Sequence, residues 1–288
     1  LRKLIVTGDD FGVSEAVNEA IEQANKNGIL TTTSLMVGAS AMDDAVARAR
    51  RLPSLQVGLH IVLVRGQSVL AHNQIPDLVD REGNFSSHLV SAGVNYFFKS
   101  TVRRQLEAEI RAQFAAFRET GLPLDHVNAH NHYHMHPTVL GLIIKVGREF
   151  GLKAVRVPSE PFIQSWRAAH EGLWRRLITA MFLGPWAALV RWRLAQAGLQ
   201  SNDHVFGLHD TGHMTPGHVL EVIANLPAGI SEMYFHPATH KWPEMDPAMK
   251  GYQCEQELAA LTSAEVMKAL ERSDIKKVSF SDLAAMRA

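Results

Sequence analysis

Strand-like and helix-like segments alternate along the whole chain, and that alternation constrains the fold more than any other feature. Leu4-Ile5-Val6-Thr7-Gly8 is an apolar run that ends in the polar turn Asp9-Asp10-Phe11-Gly12. Ser14 is placed to cap a following helix with Val17, Ala20, Ile21 and Ala24 on one face, and Asn27-Gly28 stops it. The couplet then recurs. Thr31 to Val37 is β-rich and precedes a helical pattern from Ala41 to Arg51, and Gln56 to Leu63 reads as the next strand. An amphipathic helix over 103–119 leads to a strand at Leu124–Asn128, then a helix at Pro137–Phe150 and a strand at Lys153–Val157. Further strands are expected at His204–Leu208, Glu232–Phe235 and Lys277–Ser279. Such alternation implies a parallel sheet with helices outside it, and about seven units favour a closed or distorted (β/α) barrel, TIM-like, over an open doubly wound sheet. A length of 288 residues suits one such barrel, so the expected organisation is a single α/β domain over 1–288.

Two segments interrupt the rhythm. Residues of about 65–100 are turn-rich (Asp80-Arg81-Glu82-Gly83-Asn84) and read as an inserted loop or flap over the site. Residues 162–200 hold Trp166, Trp174, Trp186 and Trp192 interleaved with Arg167, Arg175, Arg176, Arg191 and Arg193. That mixture either packs on the barrel with solvated arginines or lies at a lipid headgroup boundary as a peripheral membrane contact.

The 29 basic residues balance the 29 acidic ones, which argues against a nucleic-acid partner. The single cysteine, Cys254, excludes an intramolecular disulfide framework and a cysteine-rich zinc site, and fits a reducing compartment. The first residues read as a strand start rather than a signal peptide, and no apolar run approaches the roughly 18 residues of a membrane span. The expected location is therefore the cytoplasm, with the inner membrane face as its peripheral variant.

Chemistry is concentrated in one stretch, His126-Val-Asn-Ala-His130-Asn-His132-Tyr-His134-Met-His136-Pro137, which packs five of fifteen histidines into eleven residues. Neutral imidazole is the commonest metal ligand and the usual acid or base near neutral pH. On a strand, His130, His132, His134 and His136 would share one face at a spacing of about 7 Å, so two could share an ion and four could not. The cluster therefore reads as one or two ligands with further histidines lining or orienting a site. Other polar residues fall at the carboxyl ends of the expected strands, where barrels of this type place their active sites: Asp9 and Asp10, His60, Arg156, His209 with Asp210, and His236. A lone rim histidine or a strand-end Asp pair usually has only a structural role, but here they recur at corresponding places in successive units. One carboxylate and two imidazoles with open positions make a catalytic site for a divalent metal, a second carboxylate supplying a base and a further histidine an acid.

Asp9-Asp10-Phe11-Gly12, Gly58-Leu59-His60, His130-Asn131-His132-Tyr133-His134 and Phe235-His236-Pro237 together resemble the YdjC-like carbohydrate deacetylases, a family that includes chitooligosaccharide deacetylases. The resemblance runs from the start of the chain to about residue 240, departs where the family carries a further histidine in place of Asn131, and is nearest to the hopanoid biosynthesis-associated deacetylases. It implies a metal-dependent hydrolase that removes the N-acetyl group of an amino sugar and releases acetate. It assigns the metal to Asp10, His60 and His130, the general base to Asp9, the acid that protonates the leaving amine to His236, and orientation of the base to Arg156. His132, His134 and His209 are left as residues that line or orient the site. The metal is Mg, Zn, Co or Mn. The nearer resemblance implies the N-acetylglucosaminyl group of a bacteriohopanetetrol-linked glycolipid as substrate, and similar proteins include homodimers. The alternatives are a chitooligosaccharide deacetylase, a metal-dependent phosphoesterase or amidohydrolase on a similar barrel, and a non-catalytic binding protein. His209, His213 and His218 either contact substrate or cap turns around Thr215-Pro216-Gly217.

Overall fold

The computed structural model describes residues 2–285. Its elements run β1 (Arg2–Phe11), α1 (Glu15–Asn27), β2 (Thr32–Leu35), α2 (Met42–Ala49), β3 (Gln56–Ile61), α3 (Leu89–Phe98), α4 (Ser100–Glu119), β4 (Leu124–Ala129), α5 (Pro137–Glu149), α6 (Phe162–Ala169), α7 (Leu173–Gln196), β5 (His204–Phe206), α8 (Pro216–Ala224), β6 (Gly229–Phe235), α9 (Cys254–Leu261), α10 (Ala264–Glu271), β7 (Ile275–Lys277) and α11 (Phe280–Ala285). The alternation in the sequence is thus the alternation in space. Ser14 caps α1 through its hydroxyl, which accepts the Val17 N–H, and Gly28 follows the last residue of that helix.

The strands form one sheet in the order β4-β3-β2-β1-β6-β5, with every pairing parallel and β7 joined to the first residues of β1. Parallel strands buried on both faces need continuous apolar sequence, which Leu4, Ile5 and Val6 of β1 supply at zero exposure. Lys153–Val157, expected as a strand, forms only isolated bridges. Val127 pairs with Val155 and Ala154 with Gln200, while the Val205 N–H reaches the Ser159 carbonyl. These bonds span the opening between β4 and β5, which curls the sheet into a distorted barrel. The strand is lost because neighbouring segments offer only single partners rather than a ladder.

The two interruptions are built differently from each other. Residues 65–88 are turns and short bridges, and α3 then closes that segment as an apolar helix that the sequence reading did not separate from the loop. Residues 162–200 are almost wholly helical, as α6 and α7.

Candidate active site

All strands point their carboxyl ends the same way, so the residues that terminate them meet at one end of the barrel. There a cavity of about 190 Å3 is walled by Asp9, Asp10, His60, His130, His132 and His236, with Tyr234, Tyr252, Thr211 and Asp246 at its rim.

Asp9 and Asp10 are adjacent in β1, where a regular pleat would send them to opposite faces. The register with β2 slips between Gly8 and Phe11, so that β1 carries one extra residue, and Asp10 has φ 62°. That left-handed kink is a bulge that brings both carboxylates into the cavity, at a backbone cost of the kind found at functional sites. The histidine tract is a second local departure. It is not extended: His130–Met135 forms a 3-10 turn, with Asn131 and His132 both at φ 54°. The four alternate histidines therefore do not share a face. His130 and His132 reach the cavity, His134 is fully buried behind them without lining it, and His136 sits against Tyr96, Tyr133 and Phe97.

Asp10, His60 and His130 offer ligand atoms that all lie within 4.8 Å of one another, the one such group among the described residues. The Asp10 carboxylate is 3.3 Å from His60 Nε2 and 3.2 Å from His130 Nδ1. On the far side of its ring, His60 Nδ1 lies 2.7 Å from Asn128 Oδ1. The Asn128 amide nitrogen donates instead to Asp9 Oδ1 and Ser34 Oγ, each at 3.2 Å, so its oxygen is the atom facing His60. With an ion bound, His60 would carry its proton on Nδ1 and turn Nε2 to the metal beside Asp10, the arrangement of a metal-ligating histidine with its supporting acceptor. The donor set, one hard oxygen with two imidazoles, fits a divalent first-row ion or magnesium.

Asp9 is held by a different network. Arg156, fully buried, donates from Nη1 to Asp9 Oδ2 at 2.5 Å and from Nη2 to Oδ1 at 3.0 Å, and Ser34 donates to Oδ1 at 2.7 Å. Burial pushes the Asp9 carboxyl up, but Arg156 and His60 outweigh it and hold the group well below the usual carboxylate range. The other side of Arg156 is neutralised by Glu232, whose Oε1 accepts from Nε at 2.9 Å and Nη2 at 2.7 Å and also from the Thr7 hydroxyl at 2.6 Å. His236 follows the end of β6, next to β1, its Nε2 4.0 Å from Asp10 Oδ2 and its Nδ1 without a partner among the described residues. Burial lowers its pKa, while Asp10 and Asp9 act the other way. Its backbone N–H donates to the buried carboxyl of Glu257 at 2.5 Å, a group that burial pushes up to about 7. His132 hydrogen-bonds the Tyr234 hydroxyl at 3.2 Å and is driven down to about 3, chiefly by burial and then by Arg156, so it stays neutral.

His209 is outside the cavity wall, since Glu160 accepts its backbone N–H and that of Leu208 and turns the loop so that Leu208 and Thr211 face inward. The same Glu160, with Asp210, neutralises the buried Arg176, and Asp210 also meets His218 at 3.3 Å. His213 bonds the Thr211 carbonyl within its own turn. Sequence reasoning passed over Ser34, Asn128, Glu232 and Glu257. Ser34, Asn128 and Glu232 lay in segments already marked as strands, and a carboxylate inside an apolar strand, as Glu232 is, was the usable signal.

With that geometry in place, the comparisons are specific. The family described as YdjC-like protein matches residues 3–272. A carbohydrate deacetylase of Brevibacillus brevis is 31% identical over 285 residues, covering 98% of this chain and 99% of its own. A carbohydrate deacetylase of Clostridium beijerinckii is 24% identical over 282 residues, covering 98% of this chain and 100% of its own. A crystal structure of a protein from Enterococcus faecalis V583, named for cellobiose-phosphate cleavage, superposes with a TM-score of 0.75 at 23% identity over 98% of each chain, a likeness of fold.

Proposed function

The chain belongs to the YdjC-like family, and from that premise we propose that it is a metal-dependent carbohydrate deacetylase that hydrolyses the N-acetyl group of an amino sugar. The observation that carries this reading is the pairing of two differently held carboxylates in one cavity, Asp10 between two imidazoles and Asp9 on Arg156. Asp10, His60 and His130 would hold a divalent ion (Mg, Zn, Co or Mn), which would supply Lewis-acid polarisation of a carbonyl oxygen when bound. Asp9, kept ionised by Arg156, takes the proton of the attacking water as its oxygen bonds to the carbonyl carbon. Arg156 fixes the plane of that carboxylate, and Glu232 holds Arg156 in turn. The C–N bond then breaks as His236, at the end of the neighbouring strand β6, gives a proton to the nitrogen, and acetate and a free amine leave. His132, neutral and bonded to Tyr234, shapes the wall between.

A phosphoesterase would need cationic donors for its substrate. The cavity wall carries no lysine or arginine, and Arg156 is committed to Asp9 and Glu232, which leaves the deacetylase reading ahead.

As the finer part of the same proposal, the sugar is the N-acetylglucosaminyl group of a hopanoid glycolipid, reached by peripheral contact of 162–200 with a membrane face, and the chain acts as one domain. Supporting it is the exposure of Trp166, Trp174 and Trp192 in that segment. The test is acetate release from metal-stripped and metal-restored protein, with an N-acetylglucosaminyl hopanoid beside N-acetylglucosamine oligomers. Metal-dependent release from the lipid alone is the expected result. Release from the oligomers alone would keep the deacetylase and discard the hopanoid, and release from neither would overturn the reading.

A further inference from the structure

Among the described residues, the largest unexplained surface feature is apolar. On α3, Val90, Val94, Phe97 and Phe98 are exposed, Val90 by 83% and Phe98 by 73%. Val94 follows Val90 by four residues, and Phe97 and Phe98 follow Val94 by three and four, the spacing of a helix face meant to be covered. On α7, Trp174, Ile178, Met181, Phe182, Leu189 and Trp192 are exposed at the same periodicity, Phe182 by 78% and Trp174 by 71%. The opposite face of α7 buries Arg176, Ala187, Val190 and Leu194 against the barrel, so the outward stripe is not a mispacked core. Large contiguous apolar surface of this kind marks an interaction site.

The two stripes flank the same element. The Tyr133 hydroxyl donates to the Leu89 carbonyl of α3, while Trp186 Nε1 of α7 donates to the Met135 carbonyl and Arg193 reaches the Pro137 carbonyl. Both helices therefore rest on the 3-10 turn that carries His130 and His132. An apolar groove lined by Leu89, Val90, Val94, Phe97 and Tyr133 meets the catalytic cavity at His132, which walls both.

The charge around the stripes is predominantly positive, with Glu171 in the turn before α7 as the exposed exception. Neither α3, α6 nor α7 contains an acidic residue. Lys99, Arg103 and Arg104 are exposed just beyond α3, and Arg167 and Arg175 are exposed on α6 and α7. Among the described residues no helix is long and apolar enough to cross a membrane, and an exposed face of this kind suits contact along a bilayer surface. Aromatic and aliphatic side chains on one face with cationic flanks are what a bilayer interface with anionic headgroups takes up. A second copy of this chain fits less well, because a two-fold contact through these helices would set several arginines against arginines with Glu171 as the one exposed carboxylate in the α6–α7 segment.

We propose that α3 and α7 form one bilayer-docking face, with anionic headgroups as its partner, and that this face brings the mouth of the catalytic cavity to the lipid surface. It rests on the glycolipid reading above only for its purpose, since binding is measured without turnover.

The test is co-sedimentation of the full chain with phosphatidylcholine vesicles, with and without an equal share of phosphatidylglycerol. The protein should pellet with the anionic vesicles, less so as salt is raised, and Val94→Asp on α3 and Phe182→Asp on α7 should each weaken partitioning by about tenfold or more. Both variants should keep the wild-type circular dichroism and wild-type turnover of a soluble N-acetylated sugar where the protein has any. An unpelleted wild type would overturn the proposal, as would an α3 variant that binds like wild type, or a wild-type dimer that either variant dissociates. Pelleting without acetate release from any substrate would keep the docking face and sink the deacetylase reading instead.

Discussion

At the scale of single residues, the site separates two carboxylates that are neighbours in sequence into two electrostatic environments. Asp10 faces imidazoles and Asp9 faces a guanidinium. Replacing Asp9 by Asn should leave metal uptake intact by calorimetry and lower kcat by about 10²–10⁴, the usual contribution of a positioned base; undiminished turnover would remove Asp9 from that role. Glu257 provides a separate pH signature. Burial raises its carboxyl from 4.5 to about 7, so the folded chain binds the extra proton and this group's stability contribution falls as pH rises through that window. Melting temperature should decline between pH 5 and pH 7 (roughly the span in which the two states bind protons unequally), and Glu257→Gln should flatten the decline. An unchanged slope would mean that another group dominates. Asp9, Asp10, His60, His130 and His236 were legible from residue type and strand-end position. Glu232 and Glu257 were not, because a buried acid declares itself only through what surrounds it.

At the scale of elements, two departures from regular geometry build the site, and both are encoded locally without being readable locally. The bulge in β1 at Asp10 depends on its register with β2, a partner more than twenty residues away. The turn at Asn131 and His132 breaks the alternation that a strand would impose on the histidines. Gly58, in the Gly58-Leu59-His60 motif, has a plainer reason. A Cβ there would lie 2.5 Å from the His126 ring and 2.7 Å from its carbonyl oxygen. Gly58→Ala should therefore force β3 away from β4, which carry His60 and Asn128 respectively. We expect lower thermal stability together with weaker metal affinity. Loss of stability alone would mean that the strain relaxes elsewhere than at His60.

At the scale of the whole molecule, the 162–200 insertion is coupled to the cavity through charge. Arg176 of α7 bridges Glu160 and Asp210, and Glu160 in turn holds the loop that presents Leu208 and Thr211 to the cavity. Arg176→Ala would remove the cation shared by Glu160 and Asp210, leaving Glu160 to its backbone donors and Asp210 to His218, a loss of up to about 3–5 kcal/mol for breaking a buried pair. Urea unfolding should register that loss, and KM for a soluble substrate should rise as the loop relaxes. A stability change below about 1 kcal/mol, the range of an exposed ion pair, would mean that solvent reaches the cluster.

The sequence by itself determined the alternation of strands and helices, the parallel sheet and the end of the barrel at which polar residues gather, because periodicity and strand-end position are properties of short stretches. It also marked 65–100 and 162–200 as departures from the repeat. Only the tertiary structure decided which histidines share a cavity, that Asp9 and Asp10 point the same way, and that Arg156 stands between Asp9 and Glu232. It alone separated α3 from its loop and seated it on the 3-10 turn that α7 also bonds. Those outcomes depend on register, backbone kinks and contacts between residues as far as 225 positions apart, and no local pattern of residue types carries that information.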